Sequence, residues 1–468
     1  MNKDTLIPTT KLLKPKTNVE NINLKNYKDN SSCKGVFENV EDALNSTVHA
    51  RKILSGACGK EQREKFSTEI AKAALENKEV LATMILEETH RGRYEDKILK
   101  HELRATVTPG TENLTTTAWS GDNGLTINAM WAMGPAGAST PLTNPTETVI
   151  CNSIGCIVGG NAVAFNPHPG AGKCVAYGIE MINMAIKGCG GPLNLVTTIM
   201  NPTLESLAAI CKHPMIQLLC GTGGPRLVAV ILQGGKKAIG SSRGNPPTIV
   251  DSFADIERTG KSIIISCSLD NNIPCIAETS LFVPENVLKD VISVFLKLNA
   301  VIINEDQVSL LIDLVLAKNN ETQEYFKNKK WVAKDAKLFS DEIDVESPWN
   351  IKCVACEVNE NHPFVMTELL MPILPIVRVK DIYEAVKYTK IAERPHKFSA
   401  MIYSKHIDNL WRFERGADST IFVKNGLSLA GVGYEAPGFT SFTIAVPTGE
   451  GMTSAANFTR QRRTVNAN

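Results

Sequence analysis

Residues 195–233 read LVTTIMNPTLESLAAICKHPMIQLLCGTGGPRLVAVILQ, and the alternation inside this stretch sets the fold class. Leu195 to Ile199 is a short β-branched run suited to a strand. Residues 204–211 carry apolar side chains at helical spacing, and Ile216 to Leu219 is extended again. The turn Cys220-Gly221-Thr222-Gly223-Gly224-Pro225 then leads into a helix over 225–233. Strand, helix, strand, helix at this pitch predicts a mostly parallel sheet with crossover helices. A glycine-rich strand-to-helix turn lets backbone N–H groups approach a phosphate. The spacing here is not GxGxxG, so the turn alone is a weak dinucleotide signature.

The same alternation extends outward. A strand at Ala162 to Phe165 and a helix over 172–187 come before it, and a short strand at Pro247 to Val250 follows. Helices are predicted over 36–54, 61–76 and 78–91. Residues 112–130, rich in threonine with a Gly121-Asp122-Asn123-Gly124 turn, predict a hairpin or extended arm. A second α/β block covers 251–430. Its expected helices lie at 253–259, 285–298, 305–318 and 380–391. Its expected strands lie near 262–266, 352–357, 373–379, 399–403 and 420–423. Residues 1–35 read as a polar leader, and the tail from 431 as loops with a returning strand.

Composition narrows the function class. Fifty basic residues against 49 acidic ones give a formal charge of +1, which argues against a nucleic-acid or membrane-surface protein. No apolar run reaches the ~18 residues of a membrane helix, and the first residues have no signal-peptide pattern. Twelve cysteines spread over 468 residues fit free thiols in a reducing cytosol better than a disulfide scaffold. The lone CxxC of Cys353 and Cys356 reads as a strand with two buried thiols, and no metal site is expected.

The chemistry centres on Asp270-Asn271-Asn272-Ile273-Pro274-Cys275-Ile276-Ala277-Glu278. A thiolate there has the right character to attack a carbonyl and hold an acyl group as a thioester. Taken alone, one cysteine in twelve is weak evidence. The loop resembles the catalytic cysteine loop of the aldehyde dehydrogenase superfamily, most of all its CoA-acylating branch, and that resemblance gives Cys275 the role of nucleophile. Within the branch the likeness is nearest to the clostridial butyraldehyde enzymes and the related propionaldehyde and acetaldehyde ones.

Four further segments follow in the family's order. Thr143-Asn144-Pro145 resembles the asparagine–proline loop. This implies that Asn144 and the Cys275 N–H donate to the developing alkoxide, a role compatible with a plain helix cap at Asn144. Asn166-Pro167-His168-Pro169 resembles the branch's form of the strand end that meets the adenosine, so Asn166 and His168 are expected on the cofactor side. The turn at 220–225 implies cofactor contacts from Thr222 and Gly223. Glu368, in Glu368-Leu369-Leu370-Met371-Pro372, resembles the glutamate that holds the nicotinamide ribose. Phe439 and Phe442 either shape the acyl pocket or belong to the core.

A missing residue separates the chemistries. Hydrolytic members place a glutamate base in a Glu-Leu-Gly-Gly segment, and the matching stretch Ile239–Pro247 has no carboxylate. Water attack should therefore be slow. A thiol, coenzyme A, is the better acyl acceptor. The expected reaction is reversible NAD- or NADP-dependent interconversion of a short-chain aldehyde and its acyl-CoA, with butyryl-CoA as the leading substrate. The alternatives are a hydrolytic or acyl-phosphate-linked semialdehyde dehydrogenase, or an impaired variant. Arg243 and Pro135, which depart from the branch's pattern, favour the last.

The resemblance implies an aldehyde dehydrogenase-like α/β fold. A Rossmann-like cofactor domain is expected over 36–250 with 431–445, and an α/β catalytic domain over 251–430. A small oligomerisation arm from 112–130 and 446–468 implies a homo-dimer or tetramer, and a cytoplasmic location is expected.

Overall fold

The structure, a computed structural model, describes residues 34–393 and 396–467. The expected leader lies outside these residues apart from its last two positions.

Two parallel sheets carry the molecule. The first has six strands in the order Val36–Phe37, Val196–Ile199, Val163–Pro167, Ala136–Thr140, Leu218–Thr222, Lys237–Ser241, every neighbouring pair parallel. Apart from the short edge strand this is the Rossmann order. The strand order reverses beside Ala136–Thr140, so the crevice between Ala136–Thr140 and Leu218–Thr222 is where such sheets take ligands. Ala136, Ala138, Val163, Phe165, Leu218 and Leu219 are almost fully buried, as expected for a sheet covered on both faces.

The second sheet has seven parallel strands: Ala300–Ile303, Cys353–Val358, Ile373–Val379, Ser280–Pro284, Pro247–Val250, Ser399–Tyr403, Ile421–Lys424. Pro247–Val250 is an interior strand of this sheet, between Ser280–Pro284 and Ser399–Tyr403, so the expected boundary at 250 is too late. The chain leaves the first sheet at Ser241. Proline at the first position of this strand has no ladder donor to lose. Ile263, Ile264 and Cys267 are buried while Ile265 is 45% exposed, and the expected strand at 262–266 is part of the helix Ile256–Ser268. A three-residue apolar run, Ile263 to Ile265, does not separate strand from helix. The Asp255 side chain, which accepts from Arg258 N at 3.3 Å, starts the helix. Strands Ser280–Pro284 and Ala300–Ile303 also escape a pattern reading.

The largest omission is the helix Tyr94–Val107. Its buried face is Lys97, Lys100, His101 and Arg104 with Leu103. The spacing is helical, but the side chains are charged, so a search for apolar periodicity passes over it.

The arm is a three-stranded antiparallel sheet of Thr116–Gly121, Gly124–Ala132 and Thr459–Ala467. Residues 446–458 do not join it. They lie against the six-stranded sheet, where Lys237 Nζ donates to Asn457 O at 2.6 Å and Gly240 N to Thr448 Oγ1 at 3.0 Å. The 431–445 stretch is divided. Val432 shares a core with Phe398, Met401 and Ile421 of the second sheet, whereas Thr443 Oγ1 bonds Asn152 on the first sheet's helix at 3.1 Å. Pro135 precedes the strand that starts at Ala136 and accepts from Gln217 N at 2.9 Å, so it breaks no ladder. Cys353 and Cys356 are buried thiols in a strand, as read. No helix among the described residues is long and apolar enough to cross a membrane.

Candidate active site

Topology brings the motifs together. Gly244, Cys275, Glu368 and the stretch His396–Phe398 each come just before one of four adjacent parallel strands: Pro247–Val250, Ser280–Pro284, Ile373–Val379 and Ser399–Tyr403. They therefore share one edge of the seven-stranded sheet, the edge where its strands begin. Asn144 and the glycine turn leave the other sheet where its strands end, beside the crevice where the order reverses.

The contacts at this edge are close. Gly244 N donates to Glu368 Oε1 at 3.2 Å. A Cβ on Gly244 would stand 3.0 Å from Cys275 O and 2.8 Å from Phe398 Cβ. The carboxylate-free stretch thus lies directly against the cysteine, and glycine at 244 is what allows that approach. Arg243 is exposed.

The cysteine loop is held in an uncommon shape. Asp270, Asn271 and Asn272 have φ of 48°, 56° and 59°, three left-handed residues in succession. Asp and Asn tolerate this region better than other side-chain-bearing residues. Their side chains also lock it. Asn271 Nδ2 donates to Ala333 O at 3.0 Å, and Asn272 Nδ2 to Glu278 O and Met371 O, both at 3.1 Å. Asp270 Oδ1 accepts from Arg93 N at 2.7 Å, while Asp270 N donates to Asp96 Oδ2 at 2.7 Å.

Cys275 is part-exposed as a residue, but its thiol lies in an apolar surround shared with Phe398, Met401 and Ile444. Burial, then the Glu368 carboxylate, push its pKa up to about 12, against a smaller opposing effect of Lys327 and Lys100. The resting nucleophile is a neutral thiol. Glu368 is itself engaged, 2.5 Å from Lys327 Nζ on the short strand Tyr325–Lys327. Sequence reading did not find Lys327, which lies far along the chain in a segment without a motif.

Asn144 heads the helix Pro145–Val158, yet its side chain makes no capping bond. Lys100 Nζ donates to its Oδ1 at 2.7 Å, and the amide nitrogen has a long 3.4 Å contact to Thr143 Oγ1. The simple capping reading is therefore set aside, and the amide is held by its oxygen with the N–H end left to donate. Lys100 Nζ also lies 2.6 Å from Asp270 Oδ2 and 3.1 Å from Glu147 Oε1. Burial opposes its charge, but Asp270 and Glu147 outweigh that and hold the ammonium above the ordinary lysine range. Beside it, burial drives His101 down to about 3. Its Nδ1 is 2.7 Å from Lys97 O, which can only accept, so Nδ1 carries the proton and Nε2 faces Thr146 Oγ1 at 2.9 Å.

The cofactor-side residues fare unevenly. Asn166 ends its strand as expected, but both ends of its amide are used: Oδ1 accepts from Ser206 Oγ at 2.5 Å and Nδ2 donates to Thr203 O at 3.1 Å. It anchors the cap of helix Leu204–Lys212. His168 is exposed at the strand end and accepts from Gly170 N at 3.1 Å. Partial burial, with Arg91 and Lys329 nearby, lowers its imidazole pKa. Thr222 Oγ1 meets Thr443 Oγ1 at 3.0 Å and Gly223 N donates to Ser241 O at 3.0 Å, so neither group is free as it stands. Gly224 heads the helix Pro225–Leu232 without a side-chain cap, and a Cβ there would meet nothing within 4 Å. That open, uncapped helix start fits a phosphate, and it lies one residue beyond the expected contacts.

Comparison with known proteins identifies the family. A family described as "Aldehyde dehydrogenase family" matches residues 34–431. The acetylating acetaldehyde dehydrogenase EutE of Salmonella typhimurium is 37% identical over 434 residues, covering 92% of each chain. A propionaldehyde dehydrogenase of Rhodopseudomonas palustris, solved with bound CoA and an acylated cysteine, is 39% identical with a TM-score of 0.89, covering 93% of this chain and 98% of that one. An engineered glycolyl-CoA reductase with bound NADP+ is similar to the same degree: 39% identity, TM-score 0.89, and 93% and 98% coverage.

Proposed function

Since this chain belongs to the aldehyde dehydrogenase family, in its CoA-acylating branch, we propose that it interconverts short-chain acyl-CoA and aldehyde, using NADH or NADPH, through a thioester on Cys275. The observation that carries this reading is the contact between Gly244 and Cys275. The stretch that would need a water-activating carboxylate lies against the nucleophile and has none. The acid that is near, Glu368, is bound to Lys327 and to Gly244 N.

In the reducing direction Cys275 attacks the acyl-CoA carbonyl. Its proton leaves with the departing CoA thiol, so the exchange is neutral in protons. His396, two residues before the Phe398 that borders Gly244, is the proposed carrier. The nicotinamide, when bound, supplies the hydride. Asn144 Nδ2 and the Cys275 N–H donate to the alkoxide that forms, and its collapse releases the aldehyde and the Cys275 thiolate, which takes up one proton from solvent to return to the resting thiol. Glu368 would hold the nicotinamide ribose in exchange for its resting partners, Lys327 Nζ and Gly244 N. Gly224, with Thr222 and Gly223 beside it, would hold the pyrophosphate, and His168 would lie on the adenosine side.

The relatives above are named for two- and three-carbon aldehydes, and butanal is proposed as a member of the same short-chain set. The arm supports a homo-dimer or tetramer. Trp119 and Trp131 are exposed on it, and Arg462 lies 4.2 Å over the Trp131 ring. Its outer strands offer open edges to a second copy. The free thiols fit a cytoplasmic location.

The test is acyl-CoA-dependent oxidation of NADH and of NADPH with acetyl-, propionyl- and butyryl-CoA. Activity should vanish in Cys275→Ala. CoA-independent formation of the acid at full rate would overturn the proposal.

A further inference from the structure

The buried charge cluster on helix Tyr94–Val107 stands outside the reaction described so far, and its geometry points to a task. One ammonium, Lys100 Nζ, reaches three groups on two segments. It donates to Asn144 Oδ1 at 2.7 Å and lies 2.6 Å from Asp270 Oδ2 and 3.1 Å from Glu147 Oε1. Asn144 and Glu147 lie at the start of one helix, and Asp270 begins the left-handed loop that ends at Cys275. Lys100 is 3% exposed, and Asp270 and Glu147 are fully buried. We infer that Lys100 is a positioning residue for the reaction: it fixes the Asn144 amide against the cysteine loop, so that Nδ2 rather than Oδ1 faces the developing alkoxide.

The physical reasons are three. An asparagine amide has two faces of opposite polarity, and nothing in its shape selects one. An ammonium carries donors only, so it selects the oxygen. A compact ammonium can donate to the amide oxygen and still stand beside two carboxylates, one on the same helix start and one on the cysteine loop. The planar guanidinium of arginine would not fit the same place. A charged donor on the amide oxygen also polarises the amide and strengthens its N–H as a donor. Lys97 cannot substitute. Its Nζ bonds Asp270 at 3.1 and 3.3 Å, and no bond to Asn144 is present among the described residues. Lys97 therefore holds the loop, while Lys100 holds the loop and the amide together.

The inference rests on the reading of Asn144 as an alkoxide donor, and a double-mutant cycle separates the two. Asn144→Ala, Lys100→Met and the double variant are compared by kcat and KM for propionyl-CoA. Asn144→Ala should lose ~10²–10³-fold in kcat. Lys100→Met should lose at least ~10-fold in kcat with a smaller change in KM. Adding Lys100→Met to Asn144→Ala should cost much less than Lys100→Met costs alone, because the part of its effect that passes through the amide is already lost. Lys100→Arg should not restore kcat. Removing Lys100 alone leaves two buried carboxylates short of a partner, so Lys100→Met with Glu147→Gln, which deletes one charge of each sign, carries the same prediction in a charge-balanced background. Losses that add in the double variant, or full kcat in a folded Lys100 variant, overturn the assignment. Full activity of Asn144→Ala instead overturns the reading of Asn144.

Discussion

Gly244→Ala tests whether the close approach of Gly244 to Cys275 is part of the machinery. The added Cβ would stand 2.8 Å from Phe398 Cβ and Cγ and 3.0 Å from Cys275 O. An ordinary carbon contact needs ~3.5 Å, so ~0.7 Å must be found against Phe398 and ~0.5 Å against Cys275 O. Phe398 has little room to yield. It is fully buried, its N–H donates to Glu393 Oε1 at 2.7 Å, and its carbonyl accepts from Ile421 N at 3.0 Å. Gly244 is itself held by its N–H on Glu368. The displacement therefore falls partly on Cys275. Overpacking of this kind costs ~1–3 kcal/mol of stability. A misplacement of ~1 Å at a reacting group costs ~10²-fold, so half of that predicts roughly a tenfold loss in kcat. The assay pairs kcat for acyl-CoA-dependent NADH oxidation with urea unfolding. Gly56→Ala, whose Cβ meets nothing within 4 Å in a helix, is the control and should be neutral or slightly stabilising. Unchanged kcat and unchanged unfolding midpoint in Gly244→Ala would refute the reasoning.

Two further outcomes follow from buried ionisable groups. With the Cys275 pKa near 12, the thiolate is a minute fraction at neutral pH. Its alkylation by iodoacetamide in the ligand-free enzyme should rise ~10-fold per pH unit through pH 9 without a plateau, and a plateau below pH 8 would contradict the apolar setting. Glu278 is fully buried, and burial raises its pKa from 4.5 to about 8. The folded chain thus favours the neutral acid while the unfolded chain ionises above 4.5. The stability this residue contributes is present below that value and is lost as pH rises through 8. Glu278→Gln should become more stable relative to the parent between pH 5 and pH 8.5, by up to ~4 kcal/mol in urea unfolding. A constant difference across that range would exclude a buried neutral carboxyl.

Much was legible in the chain itself. The β-branched runs with glycine and proline punctuation gave both α/β blocks, because parallel strands buried on two faces are continuous apolar stretches. The cysteine loop was readable through its resemblance to the family's Asn-Asn-x-Pro-Cys segment, whereas its three successive left-handed positions came only from the structure. The absence of a carboxylate at 239–247 was readable too. Tertiary structure alone decided which strands adjoin, and so where the chain passes from one sheet to the other and why Gly244, Cys275, Glu368 and Phe398 meet at one edge. It also decided which polar groups are already occupied. Asn166 turned out to support a helix cap, Gly223 to hold a neighbouring strand, and Asn144 to answer to Lys100. Pairing across 44 and 170 residues, as Lys100 makes with Asn144 and Asp270, leaves no periodic trace in sequence. A buried charged face breaks the apolar rule by which helices are found, so only the fold could reveal it.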